Sequence, residues 1–223
     1  MALSQVDFEI YEGEIFGVIG PNGSGKTTLF NVITGFLKAN DGKVIFKGKD
    51  ITGFPSHQIC RQGIARIFQL VRPFSQLTVL ANVMVGRMYG KDSTPSMKQA
   101  REKSIEILNF VGLGNKIEIL ASQLTMAESK KLELARALAA QPQMLLLDEL
   151  MAGLNPAETD TAMDLVNKIR DSGITVIMVE HIMKAVLGIS DRVMVLNAGM
   201  KIAEGPPKEV VKNQLVIEAY LGT

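Results

Sequence analysis

Gly20-Pro21-Asn22-Gly23-Ser24-Gly25-Lys26-Thr27-Thr28 is the stretch that decides the fold of this chain. It fits the pattern G-x-x-x-x-G-K-[ST] in full. The segment Glu14 to Ile19 before it reads as a buried strand, and Leu29, Phe30, Val32 and Ile33 after it fall at helical spacing. Strand, glycine loop and helix is the order in which such a loop cradles phosphates: glycines let backbone N–H groups curl inward, and the helix N-terminus adds partial positive charge. Lys26 would reach the β- and γ-phosphates, and the Thr27 hydroxyl would ligate magnesium. A plain glycine-rich turn before a helix is the competing reading, and the flanking strand and helix argue against it.

A loop that holds a nucleoside triphosphate needs a carboxylate elsewhere to hold the metal. Asp148 ends the apolar strand Met144 to Leu147, and Glu149 follows it. Adjacent residues at a strand end can point differently, so one acid can serve magnesium through water while the other polarises an attacking water. Without the glycine loop, two solvated acids at a strand tip would be the simpler reading. The chain has two histidines. His181 follows the apolar segment Ile174 to Val179, at a strand edge where open α/β sheets place ligands; a structural hydrogen-bonding role stands beside that reading. His57, in Pro55-Ser56-His57-Gln58, reads as surface.

Further strands are expected at Lys43 to Lys47, in a small antiparallel element, at Arg192 to Leu196 and at Met200 to Ala203. Ala162, Leu165, Val166 and Ile169 form a helical stripe behind an Asn155-Pro156 start signal. From Thr78 to Leu120 the signals are helical, broken at Gly90 to Pro95; a helix opened by Ser96 carries Ile105, Leu108 and Val111 and closes at Gly112 and Gly114. The expected fold is α/β, a P-loop NTPase core with a small antiparallel β subdomain and an inserted all-helical subdomain. The continuously apolar strands call for a parallel sheet covered on both faces. Residues 1–73 and 142–223 make the nucleotide-binding core of a single domain, and residues 74–141 its helical subdomain.

Composition narrows the setting. The chain has 223 residues, 47% hydrophobic and 21% charged, which suits one globular domain. Its 24 basic and 23 acidic residues give a net charge of +1, so no global field draws in nucleic acid. The single cysteine, Cys60, fits a reducing compartment. No leader-like start and no long apolar run is present, so any membrane connection is expected to pass through another protein. Most of the 12 methionines sit in apolar segments and read as packing residues.

With these residues in place the chain resembles the ATP-binding cassette ATPases, the motor subunits of ABC transporters. Besides Gly20 to Thr28 and Asp148-Glu149, the resemblance takes in Gln69 in Ile67-Phe68-Gln69, the Q-loop; Gly153-Leu154-Asn155-Pro156, the D-loop; and His181, the switch histidine. It covers nearly the whole chain, in order. Gly63 to Gln69, Leu77 to Gly86, Ala152 to Pro156 and the ending Glu218-Ala219-Tyr220-Leu221-Gly222 look like the branched-chain amino acid importer ATPases, with much of the pattern shared by lipopolysaccharide-export ATPases.

The resemblance implies two ATPs sandwiched between two such subunits, homomeric or heteromeric, each site pairing one chain's phosphate loop with the other's signature helix. Glu149 would act as general base, and His181 would contact the γ-phosphate and the attacking water. Gln69, with Thr27 and Asp148, would reach magnesium and link the site to the helical subdomain. Val71, Arg72 and Phe74 would line the groove for a permease subunit's coupling helix. The protein would lie in the cytoplasm, on the inner face of the cell membrane through its permease, served indirectly by an extracytoplasmic substrate-binding protein.

Three departures from the family pattern carry expectations of their own. The signature, Leu-Ser-Gly-Gly followed by Gln or Glu, is here Leu124-Thr125-Met126-Ala127-Glu128. Thr125 and Glu128 either meet the opposite ATP with reduced catalytic efficiency or serve as a capping box for the helix carrying Leu132, Ala135 and Leu138. Leu150 replaces the usual proline after the base and is expected to loosen its aim. The family's first strand and its adenine-stacking aromatic lie upstream of the segment matching Ala2 to Gly13, leaving Phe8 and Tyr11 as packing residues of a strand region. Besides an importer ATPase, the altered signature admits a nucleotide-gated dimerising module with weak hydrolysis. A DNA-repair or translation ATPase would need long coiled-coil inserts or a second cassette.

Overall fold

Six strands form one sheet, in the order β4 (Ile64–Ile67), β5 (Met144–Asp148), β6 (Thr175–Val179), β1 (Ile15–Ile19), β7 (Arg192–Asn197), β8 (Met200–Gly205). The computed structural model describes residues 2–69, 73–91 and 96–221. All pairings are parallel except β7 with β8. Because side chains alternate across a strand, each apolar run feeds two cores. Ile15, Ile67, Leu145, Leu147, Val176, Met178, Val193 and Val195 belong to one. Phe16, Val18, Ile64, Leu146, Ile177, Val179, Met194 and Leu196 belong to the other. The first lies under α3 (Val79–Tyr89), α4 (Met97–Phe110), α5 (Met126–Ala139), α6 (Pro156–Asp171) and α7 (Met183–Ile189); the second lies under α1 (Lys26–Ile33) and α2 (Ser56–Gln62). The chain ends with α8 (Pro207–Val210) and α9 (Gln214–Leu221).

Helix ends follow the local chemistry. Thr78 and Ser96 accept from Ala81 N–H and Gln99 N–H to cap α3 and α4, and Asn155 with Glu158 forms a reciprocal capping box before Pro156. Among the described residues of 74–141 the only strand-like pairing is an isolated bridge, Thr78 to Leu120.

Four expectations need correction. The strand over Lys43 to Lys47 shortens to β2 (Ile45–Phe46), paired with β3 (Lys49–Asp50), because the Thr52 hydroxyl takes the Val44 N–H and Gly42 and Gly48 turn the chain on either side. The final strand, β8, runs antiparallel: Ala198 and Gly199, at φ 47° and 81°, make the two-residue turn with two left-handed positions that suits a tight hairpin. Residues 2–13 form no strand; Ser4 N–H bonds Gly199 O. Phe8 does pack, stacked 5.7 Å from Phe16, but Tyr11 is 57% exposed under the Arg192 guanidinium.

Candidate active site

Register places the site. Asp148 lies opposite Val179, Val18 opposite Val179, Ile67 opposite Leu147 and Ile19 opposite Val195. The residues just past these partners therefore emerge together at the carboxyl ends of the parallel strands: Gly20 after β1, Phe68-Gln69 after β4, Glu149 after β5 and Glu180-His181 after β6. Open α/β sheets bind ligands at this edge.

The loop from Gly20 to Gly25 is fixed by backbone crowding. A Cβ on Gly20 would sit 2.1 Å from Leu196 O, and one on Gly25 would sit 2.7 Å from Ala2 O. Gly25, at φ 107°, starts α1 with no side-chain cap, so the helix presents its first N–H groups to the loop. Ser24 and Lys26 are buried, and the Lys26 ammonium lies in the loop's curl, 2.8 Å from Gly20 O and 2.9 Å from Pro21 O. Burial pushes its pKa down, against the opposing fields of Glu149 and Asp148. Thr27 and Thr28 occupy the first turn of α1, and Pro21, Asn22 and Gly23 form the outer rim.

Side chains from two neighbouring strand ends converge on Glu149. The Gln69 amide donates to Oε2 at 2.6 Å, and His181 Nε2 lies 2.7 Å from Oε1. An ionised carboxylate only accepts, so the His181 hydrogen facing it is on Nε2. Glu149 itself adopts φ 52°, a left-handed conformation uncommon for a residue with a Cβ. Leu150, where the family pattern has proline, is buried and packs into the larger core.

Asp148 is 5% exposed and has a partner that motif spacing does not reveal. Arg66 Nη2 donates to its Oδ2 at 2.7 Å, while Nη1 donates to Asn31 at 2.7 Å and Thr34 at 3.3 Å. The guanidinium lies over the rings of Phe30 and Phe68, at 5.4 and 4.7 Å. A cation inside the apolar run Ile64-Ala65-Arg66-Ile67 is the signal the sequence offers, since a buried charge calls for a buried counter-charge. Arg66 thus fixes the Asp148 carboxylate through its Oδ2 oxygen. The Asp148 carboxylate, the Thr27 hydroxyl and the Gln69 carbonyl oxygen are all hard-oxygen donors, a chemistry that would suit magnesium better than a softer metal.

The signature segment does not join this cluster within the chain. Thr125 accepts from Glu128 N–H, and the Glu128 carboxylate accepts from Thr125 N–H and from Lys116, so the capping box is present at the start of α5. The Lys116 hydrogen bond, then the Thr125 amide, holds the Glu128 carboxyl below its usual range. Met126 projects at 61% exposure. Of the residues expected to face a permease, Val71 and Arg72 lie outside the described residues. Phe74 is exposed, with the Arg136 guanidinium 4.7 Å from its ring.

A glycine loop under a helix N-terminus, a buried aspartate and a carboxylate bracketed by glutamine and histidine define a nucleotide-binding P-loop ATPase. The particular family follows from comparison with known proteins. Residues 3–152 match the ABC transporter family, and residues 200–223 match the branched-chain amino acid ATP-binding cassette transporter family. The high-affinity branched-chain amino acid transport ATP-binding protein LivG of Escherichia coli is 40% identical, over 100% of this chain and 92% of its own length. BraF of Pseudomonas aeruginosa, with the same description, is 37% identical over the same shares. An ATP-binding cassette of an ABC transporter, solved in its ADP conformation, superposes with a TM-score of 0.91 at 36% identity, covering 100% of this chain and 93% of that one. The chain belongs to the ABC transporter family as an ATP-binding, ATP-hydrolysing subunit of the same type as LivG and BraF. These relatives support the importer reading over the export-type ATPase and the weakly hydrolysing clamp.

Proposed function

We propose that this subunit hydrolyses ATP between two cassettes to drive import of branched-chain or similar amino acids. The observation that carries the catalytic part is the meeting of Gln69, Glu149 and His181 at one strand edge, beside the buried Lys26 loop. Lys26, the backbone of Gly20 to Gly25 and the first turn of α1, with Thr27 and Thr28, hold the phosphates. Glu149 takes the proton of the attacking water, and His181 steadies that carboxylate and the γ-phosphate. Thr27, Asp148 and Gln69 would hold magnesium, which when bound neutralises charge on the phosphate oxygens.

Thr125 and Glu128 close on the nucleotide of a second cassette, identical or related. The helical block 74–141 moves as a subdomain against the core formed by 1–73 and 142–223, and Gln69 lies where the first part of that core meets it. Permease subunits hold the protein at the cytoplasmic face of the membrane and receive cargo from an extracytoplasmic binding protein. Support for the cargo lies in the kinship with LivG and BraF, branched-chain amino acid transport proteins both, and in the match of residues 200–223.

The test is reconstitution of the subunit with its permease partners in vesicles. Binding protein loaded with leucine, isoleucine or valine is expected to stimulate ATP hydrolysis, whereas unloaded binding protein is not. Equal hydrolysis in both cases would remove the cargo assignment.

The signature yields a second expected outcome. Met126 places a long side chain where two subunits close on ATP, while the Thr125–Glu128 cap does not depend on it. Met126→Gly with Ala127→Gly is expected to raise turnover and ATP-driven dimerisation, with a loss of roughly 1–2 kcal/mol of stability from two helical glycines. Turnover per subunit at saturating ATP reads it. A fall would mean that Met126 and Ala127 fit this protein's own interface.

A further inference from the structure

The backbone at Glu149 is left-handed, and such a conformation persists where its surroundings over-determine it. Two buried charged side chains hold it through its backbone groups. Lys130, on α5 and 6% exposed, points its ammonium into the turn after β5. It donates to Leu150 O at 2.6 Å and Ala152 O at 2.7 Å, and lies 3.4 Å from Glu149 O. The three donors of one ammonium thus meet three carbonyls of a four-residue turn. Glu180, 2% exposed, accepts the Met151 N–H at 2.8 Å and also the amide of the neighbouring His181. Ala152 N–H closes the turn on Glu149 O, and Glu149 N–H bonds Val179 O.

The two side chains also feel each other's field. Burial lowers the proton affinity of Lys130, while Glu180, Glu149 and Glu133 raise it. Burial raises that of Glu180, against the Met151 and His181 amides and Lys130. Both side chains turn their polar atoms to the main chain around Glu149, Lys130 to three carbonyls of the 149–152 turn and Glu180 to the Met151 and His181 amides.

We propose that Lys130 and Glu180 are positioning residues for hydrolysis: they grip the 149–152 turn so that the Glu149 carboxylate stays between Gln69 and His181. Lys130 also ties that turn to the helix whose N-cap is Thr125, so a shift of the signature helix reaches the carboxylate through a single side chain. This assignment rests on Glu149 as the base. It also accounts for the tolerance of Leu150 in place of proline, since the turn is held by its carbonyls and an amide rather than by a ring.

The test compares Lys130→Met, Glu180→Ala, Glu180→Gln and Glu149→Gln for kcat, KM and binding of a non-hydrolysable ATP analogue. Lys130→Met and Glu180→Ala are expected to lower kcat at least about ten-fold, with analogue affinity within about two-fold of the parent. Glu180→Gln keeps an acceptor for Met151 N–H and is expected to retain at least about a third of parent kcat. Parent-level kcat in Lys130→Met, or equal loss in both Glu180 variants, overturns the assignment. Should Lys130→Met fail to fold, the Glu180 pair decides alone: glutamine well above alanine supports it, and equality overturns it. Loss in Glu149→Gln with parent activity in the Lys130 and Glu180→Ala variants would keep the base and remove only the positioning role. Full activity in Glu149→Gln would remove both.

Discussion

Glu149→Gln is expected to lower ATP turnover by roughly two to four orders of magnitude while leaving ATP bound. The substitution keeps the size of the side chain and removes the group that takes a proton. Its effect is sharpened by geometry: each carboxylate oxygen faces a donor, Gln69 Nε2 at 2.6 Å and His181 Nε2 at 2.7 Å. An amide can accept from only one of them and must turn its own N–H₂ toward the other, so hydrolysis loses both the base and its aim. Phosphate contacts through Lys26 and the loop backbone do not involve Glu149. ATP should therefore persist, and an ATP-dependent dimer should accumulate. Size-exclusion chromatography with ATP and magnesium reads the dimer, and a phosphate-release assay reads turnover. Equal hydrolysis by variant and parent would remove Glu149 as the base.

Much of this site is legible in the amino-acid sequence because its parts are local patterns. The glycine loop needs strand and helix on either side, the acid pair needs an apolar strand before it, and the Thr125 capping box and the Asn155-Pro156 helix start are relations between near neighbours. The parts that are not legible depend on neighbours far apart in the chain. Arg66 has meaning only once β4 lies beside β5 and brings the guanidinium to Asp148, 82 residues on. Lys130 reads as one more cation in Ser129-Lys130-Lys131 until α5 is laid over the turn at 149–152. The direction of β8 is hidden for another reason. Its apolar content matches that of a short parallel strand, and Ala198 in a left-handed position breaks the Asn-Gly pattern that marks a tight hairpin. Tyr11 misleads because an aromatic beside a strand usually packs inward; here the ring is held at the surface by Arg192.

Lys26→Ala is expected to abolish detectable hydrolysis and to weaken ATP binding by about 3 kcal/mol, roughly 10²-fold, the scale for truncating one partner of a buried charged contact. The reasoning starts from where the ammonium sits. It is buried in the curl of the loop, bonded to the carbonyls of Gly20 and Pro21, with Ser24 Oγ at 3.5 Å. These neutral acceptors do not balance its charge. Asp148 and Glu149 supply opposing field from across the site, yet burial still drives its pKa down. Arriving phosphates provide the missing counter-charge, so binding gains from a cation already desolvated and in place. The variant loses that gain and leaves the phosphate charge facing two carboxylates with no cation between. Calorimetric titration with ATP and magnesium reads the affinity, and circular dichroism confirms the fold. Unchanged hydrolysis in a folded Lys26→Ala protein would mean that the loop's backbone carries the phosphates alone.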